Sequence, residues 1–206
     1  ASGEERGALF AYRVAHPVSV ARGQSAMVPI LSQRVPARRD LLYNGRKQPK
    51  HPVASLRLKN ESGLTLERGP VTVLEDGDYA GEAVVPFTRA GGELIVPYAV
   101  ELGISVSEQR KSERRMVGIS VRHEYLLIQE YDIRRTEYHI TSTLGDQTTV
   151  MVEHPLGSGY ELFDTPAPFE RTAELARWEV ACAPHQRTVF TVAERQLVSR
   201  NEQVRS

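Results

Sequence analysis

Apolar residues in this chain recur at every second position, in short runs closed by turn residues, and almost nowhere at the spacing of an amphipathic helix. Side chains on an extended strand alternate between faces, so this pattern sets one row against a core and the other in water. The chain is therefore expected to be all-β. Ala54, Leu56 and Leu58 alternate with Ser55, Arg57 and Lys59. Residues 60–63 then turn the chain, 64–66 are short and extended, and ERGP turns it again before 71–75. Asp76-Gly77 is a two-residue hairpin signal, because a type I′ turn needs positive φ at both central positions. Residues 79–85 should return antiparallel. Earlier, Val18 and Val20, then Ala26, Val28 and Ile30, read as edge strands interrupted by Pro29 and Pro36, since proline cannot donate to a ladder.

The charged run EQRKSERR at 108–115 predicts a hairpin tip or domain junction. A boundary near residue 107 divides the chain into an N-terminal β-rich domain, 1–107, and a C-terminal β-sandwich, 108–206. Residues 117–131 and 133–143 are rich in β-branched and aromatic side chains. LGDQ makes a further turn, after which 148–152 should pair back. The stretch ERTAELARWEV has the composition of a helix, yet Ala176, Trp178, Val180 and Cys182 alternate with Arg177, Glu179 and Ala181. A strand with Trp178 and Cys182 inward is expected there. APHQRT should close a final hairpin into 189–192. Each half has the usual size of a sandwich domain, about 100 residues. The expected fold is two tandem antiparallel β-sandwich, Ig-like domains or one elongated β-sandwich assembly.

Lys+Arg and Asp+Glu both total 26, so no whole-molecule field favours nucleic acid, an acidic membrane surface or a polycation. Cys182 is the single cysteine, which excludes an intrachain disulfide and a zinc site built on two thiolates. No window approaches the roughly 18 apolar residues of a membrane span, and acids stand in ASGEERGALF where a signal peptide is basic and apolar. No membrane insertion is expected. A start at Ala1 and an end at RNEQVRS suggest a piece of a longer protein, whose compartment stays unknown.

Candidate chemistry is sparse. Glu75, Asp76, Asp78 and Glu82 crowd one hairpin but lack the ligand series of a calcium loop, and they read as a solvated tip. Among the six histidines, His16, His51 and His154 precede proline, which biases them to extended strand ends. His123 and His139 could face each other across adjacent strands and, with Glu124 or Glu137, assemble a metal site; ordinary sheet histidines are the simpler expectation. Ser25 in GQSAM lacks the second glycine and the strand-to-helix context of a nucleophile elbow. Cys182, with no basic neighbour and an inward position, reads as a small core residue. No carboxylate pair is singled out for glycoside hydrolysis, and NES at Asn60 is too short a motif to indicate glycosylation. No catalytic residue, metal or cofactor is therefore expected. The strongest charge feature is RVPARRDLLYNGRKQPKH, residues 34–51. Arg34, Arg38, Arg39, Arg46, Lys47 and Lys50 are opposed there only by Asp40, with Tyr43 as a stacking surface. Arg38, Arg39, Arg46 and Lys47 are the candidate anion-binding residues, against the plainer reading of a solvated connection.

Four stretches together resemble a known bacterial family: RGQSAMVPIL, LRLKNESGLTLERGPVTVLEDGDYAGEA, PYAVELGISV and RWEVACAPHQRTVFTV. Their order and spacing are similar to those of the C-terminal domain, of unknown function, of mucoidy-inhibitor-A-like proteins. The resemblance implies a β-rich fold without an established activity or cofactor, carried within a longer protein. It supplies no catalytic residue. The favoured expectation is a non-catalytic module acting in protein interaction or structure, with a protein partner or self-association. Two alternatives stand beside it. One is a carbohydrate-active or other hydrolytic enzyme with a site at the domain junction. The other is an anion-binding module that grips an anionic polymer through the 34–50 segment.

Overall fold

The computed structural model describes residues 2–6, 9–13, 17–26, 28, 35–122 and 125–203, and every regular element among them is a β-strand. The chain is all-β, built of several antiparallel sheets. It divides into two compact units, Ala1–Asp40 with Ala54–Ala99, and Leu41–Val53 with Val100–Ser206. A single boundary near residue 107 is thus replaced by three crossings of the chain between units.

The first unit holds β1 (Ser2–Arg6), β2 (Leu9–Arg13), the start of β3 (Ala37–Tyr43), β4 (Val53–Lys59), β5 (Gly69–Glu75), β6 (Asp78–Val85) and β7 (Glu93–Val100). Strands β1 and β2 form one ribbon and β5 and β6 another, while β3, β4 and β7 lie side by side in that order. The Asp76-Gly77 hairpin forms as expected, with φ of 51° and 92° and Glu75 opposite Asp78. Asn60 is buried, and its amide donates to the carbonyls of Leu64, Thr88 and Arg89 at 2.7, 3.2 and 3.1 Å. The NES triplet is therefore a turn pinned by a satisfied amide. Residues 17–26 and Val28 are not strand, with Val18 and Val20 exposed, so the expected early edge strands are absent from the described part; Ile30 lies outside it.

The second unit is a sandwich of two sheets. It contains β8 (Ile104–Arg122), β9 (Tyr125–Ser142), β10 (Thr148–Pro155), β11 (Glu161–Leu162), β12 (Glu170–Arg171), β13 (Leu175–Cys182) and β14 (Arg187–Gln203). One layer runs β12-β13-β10-β3 and the other β11-β14-β9-β8. Ile104, Val106, Tyr138, Ile140 and Val192 of the long-stranded layer meet Val150, Val152, Trp178 and Cys182 of the shorter. Tyr43 packs edge-on to Tyr138 at 6.1 Å and Trp178 lies 5.6 Å from Phe190. Full burial of one such aliphatic side chain stabilises by about 1.5–3 kcal/mol. The alternation through Ala176, Trp178, Val180 and Cys182 is inward, as expected.

Three connections differ from the sequence reading. EQRKSERR is not a tip but the middle of β8. Its charges are tolerated in a ladder because neighbouring strands and positions supply opposite charge: Lys111 bonds Glu137 at 2.8 Å and Arg110 bonds Glu108 at 2.6 Å. After LGDQ the chain does not return along β9; β10 pairs antiparallel with β13 and parallel with β3. APHQRT likewise crosses between layers rather than closing a hairpin, since β13 and β14 lie in different sheets. The two crossings are stapled together, with Gln186 O accepting from Ser142 N at 2.9 Å and Leu144 O from His185 N at 3.3 Å.

Gly81 of β6 shows how closely strands approach in the first unit, because a Cβ there would stand 2.3 Å from the Tyr98 carbonyl oxygen of β7. Gly81→Ala should therefore lower stability by about 1–3 kcal/mol, read as a fall in the chemical-denaturation midpoint. Gly118→Ala, at a site with open space, should shift it by less than about 0.5 kcal/mol.

Candidate functional site

The inner face of the long-stranded layer can be followed from the ladder register. Residues at Val106, Glu108, Arg110, Ser112 and Arg114 of β8 stand opposite Ile140, Tyr138, Thr136, Arg134 and Asp132 of β9. Val192, Glu194, Gln196 and Val198 of β14 complete the same rows. Side chains alternate, so these residues share the face that packs on the other layer. Three zones follow along it: an apolar core, a polar belt, and an apolar tip.

The polar belt begins at His154, the penultimate residue of β10 and buried between the layers. Tyr138 Oη lies 2.6 Å from His154 Nδ1, and His154 Nε2 lies 3.2 Å from Glu194 Oε2. Burial, with Glu108 and Tyr43 nearby, pushes the Tyr138 phenol far up. The phenol therefore stays protonated, and His154 Nε2–H donates to the carboxylate of Glu194. Burial pushes the Glu194 carboxyl up too, but the bonds from His154 and from Gly157 N at 2.7 Å, with Arg134 nearby, outweigh it and hold the group below the usual carboxylate range. Both imidazole nitrogens are engaged. The ring is thereby fixed between the two layers and braces Tyr138 against Glu194.

Beside this brace lies a cavity of about 160 Å³ within the second unit. Arg46, Arg110 and Arg134 line it, over a floor of Thr136, His154 and Glu194. Lys111 and Arg135 border it by position, but alternation turns their side chains to the outer face, where they bond Glu137 and Asp164. Arg134 stacks over the Tyr160 ring at 4.1 Å, a cation–π contact that fixes the guanidinium. Arg46 is presented by a turn in which Asn44 accepts from the backbone N–H groups of Arg46, Lys47 and Gln48.

That turn is anchored by Glu153, which is 1% exposed on the other face of β10. Its carboxylate accepts from Asn44 Nδ2 at 2.6 Å, Lys47 Nζ at 3.0 Å and Arg177 Nε at 2.9 Å. Arg177 in turn bonds Glu170 at 2.7 Å. Burial pushes the Glu153 carboxyl up, but these three donors outweigh it and hold the group below its ordinary range.

The apolar tip is formed where β8, β9 and β14 run on past the shorter layer. Ile119 and Val121 stand opposite Ile128 and Leu126, and Met116 and Val198 both flank Glu130. Met116, Ile119, Val121 and Val198 are 56%, 54%, 69% and 42% exposed. A β-bulge at Val117, between Met116 and Gly118, makes this row continuous. With Val117 kept in a regular ladder, Met116 and Ile119, three positions apart, would point to opposite faces.

The residues singled out from sequence are placed as follows. Arg38, Arg39, Arg46 and Lys47 do not share one loop, because residues 37–43 are β3. Arg38 bonds Asp40 at 2.7 Å, Arg39 bonds Glu75 at 3.2 Å and Tyr98 at 3.0 Å, and Lys47 bonds Glu153. Arg34, His16, His123 and Glu124 lie outside the described residues. His139 receives Arg187 Nη2 at 2.7 Å and lies 3.3 Å from Glu137. Among the described residues no group of three or more His, Cys, Asp or Glu side chains is placed to hold a metal ion. His51 Nδ1 meets Ile104 O at 2.8 Å. Glu75, Asp76, Asp78 and Glu82 are all exposed, and Tyr98 Oη donates to Glu75. Cys182 is wholly buried, and burial pushes its thiol up. Glu194 and Arg134 carry no sequence signal, Arg110 is one charge in the run EQRKSERR, and the position of His154 before proline is a conformational signal alone.

Replacing Glu153 by Gln removes the charge and leaves Arg177 and Lys47 beside a neutral amide. Glu153→Gln should lose about 3 kcal/mol at neutral pH, measured by denaturant unfolding. Because the folded carboxyl is depressed, this difference is complete above the unfolded value of about 4.3. It is lost as the pH falls through the lower folded value. Compared with known proteins, the chain matches no family model, no curated sequence and no solved structure.

Proposed function

We propose that the chain is a non-catalytic β-sandwich module of a larger bacterial protein, acting in protein interaction through the tip of the β8–β9–β14 ribbon. The observation that carries this reading is the exposed row of Met116, Ile119, Val121 and Val198 on one face. Contiguous apolar surface on a soluble domain marks a contact site more often than chance, and each residue gains by being covered. The face is also bordered by a charged rim, with Arg200 bonded to Glu202 and lying 3.6 Å from Glu130. An apolar centre with a polar rim is the anatomy of a protein interface.

The partner would dock on this face rather than extend the sheet. Strand β8 lies at the edge of its layer, but Lys111, Arg114 and Arg115 project along it, and edge lysines and arginines discourage strand addition.

A photo-crosslinking side chain placed at Ile119 tests it in the native bacterial cytoplasm or envelope. A discrete crosslinked species, either a second copy or another protein, is expected from position 119 and not from Ser120 on the opposite face. The double variant Ile119→Asp/Val121→Asp should abolish that species while thermal unfolding stays within about 4 °C of wild type. Equal crosslinking from both faces, or none from either, would overturn the proposal.

A further inference from the structure

We propose that the cavity lined by Arg46, Arg110 and Arg134 in the second unit is a binding site for a phosphoryl group. This site is separate from the ribbon tip and from the set of Arg38, Arg39, Arg46 and Lys47, with which it shares Arg46 alone.

Three arginines from different elements line one small space: Arg46 from the turn after β3, Arg110 from β8 and Arg134 from β9, the last two on the inner face by the ladder register. Arginine forks match tetrahedral oxyanions through paired N–H donors, and several forks around one anion can satisfy its oxygens together. Neither Arg46 nor Arg134 forms an ion pair with a described carboxylate, so no carboxylate competes for their guanidinium donors. Arg110 is held by Glu108, which also accepts from Tyr43 at 3.2 Å and fixes where that guanidinium stands. The volume, about 160 Å³, equals roughly five water molecules. That suits a phosphoryl group with a little accompanying water.

The floor decides which oxyanion. Glu194 is ionised and lines the cavity, with one lone pair of each oxygen taken by His154 and Gly157. A carboxylate has about four acceptor sites, so two such bonds leave Glu194 acceptor capacity for a ligand in the cavity it lines. A fully deprotonated anion such as sulfate meets repulsion there. A phosphoryl group that retains one proton can donate it to Glu194, so the site should prefer phosphate to sulfate. Thr136 adds a hydroxyl that can donate or accept.

Isothermal titration calorimetry on the full chain, at fixed ionic strength and a pH of about 5.5, below the second pKa of a phosphate ester at about 6, tests this with inorganic phosphate, glycerol phosphate and sodium sulfate. Saturable binding of phosphate or of glycerol phosphate is expected, at least roughly ten-fold tighter than sulfate. Tighter binding of the ester assigns the group to a larger ligand, and equal binding assigns it to the free ion. Arg46→Gln and Arg134→Gln should each weaken that binding about ten-fold or more. Arg39→Gln, in the first unit, should leave it unchanged. Circular dichroism melts confirm that each variant is folded, and Arg46, on a surface turn, can be replaced without disturbing the core. Absence of binding by both phosphates up to about 10 mM, or binding indifferent to Arg46 and Arg134, would overturn the site. Sulfate binding as tightly as phosphate would overturn the role given to Glu194.

Discussion

A sheet can bury only as much of one face as the opposite layer covers. In the second unit β8, β9 and β14 run 19, 18 and 17 residues, whereas β10 and β13 facing them run 8 each. The inner face of the long layer therefore passes from covered to uncovered along its length. Where cover is complete, Ile104, Tyr138, Ile140 and Val192 make a dry core. Where cover ends, polar groups gather in the gap between layers, and beyond it the same rows of side chains meet water. Core, cavity and tip are three consequences of one difference in strand length.

The cavity depends on a second arrangement, on the far side of β10. Glu153 is a carboxylate taken out of water, and it is tolerable only because Asn44, Lys47 and Arg177 saturate it. In saturating it, Asn44 is drawn onto β10, and the turn that carries Arg46 is fixed with it. Adjacent residues of β10 thus act on opposite faces, Glu153 setting the turn and His154 bracing Tyr138 against Glu194. The alternation of a single strand couples two polar networks that share no atom.

What could be read from the sequence was local. Asp76-Gly77 demanded positive φ twice and formed the hairpin it implied. The row Ala176, Trp178, Val180 and Cys182 outweighed a helical composition because burying four side chains on one face contributes more than propensity does. What could not be read was pairing. LGDQ and APHQRT mark reversals, but a reversal does not say which layer the next strand joins. The run EQRKSERR has the composition of a tip, but Glu137 of the neighbouring strand and Glu108 within the run itself compensate its cations in the sheet. Arg110, Arg134 and Glu194 carry no motif at all. They converge only because the ladder register aligns positions far apart in the chain.

The bulge at Val117 gives the ribbon a property that substitution alone cannot confer. Side-chain direction in a strand is a matter of odd and even, and one inserted residue changes the parity of everything beyond it. Met116 belongs to one parity class and Ile119 and Val121 to the other, yet all three share a face because Val117 is counted out of the ladder. The bulge therefore absorbs an odd residue that a regular strand could take up only by turning its outer part to the opposite face, and the apolar row keeps its direction across the change in count.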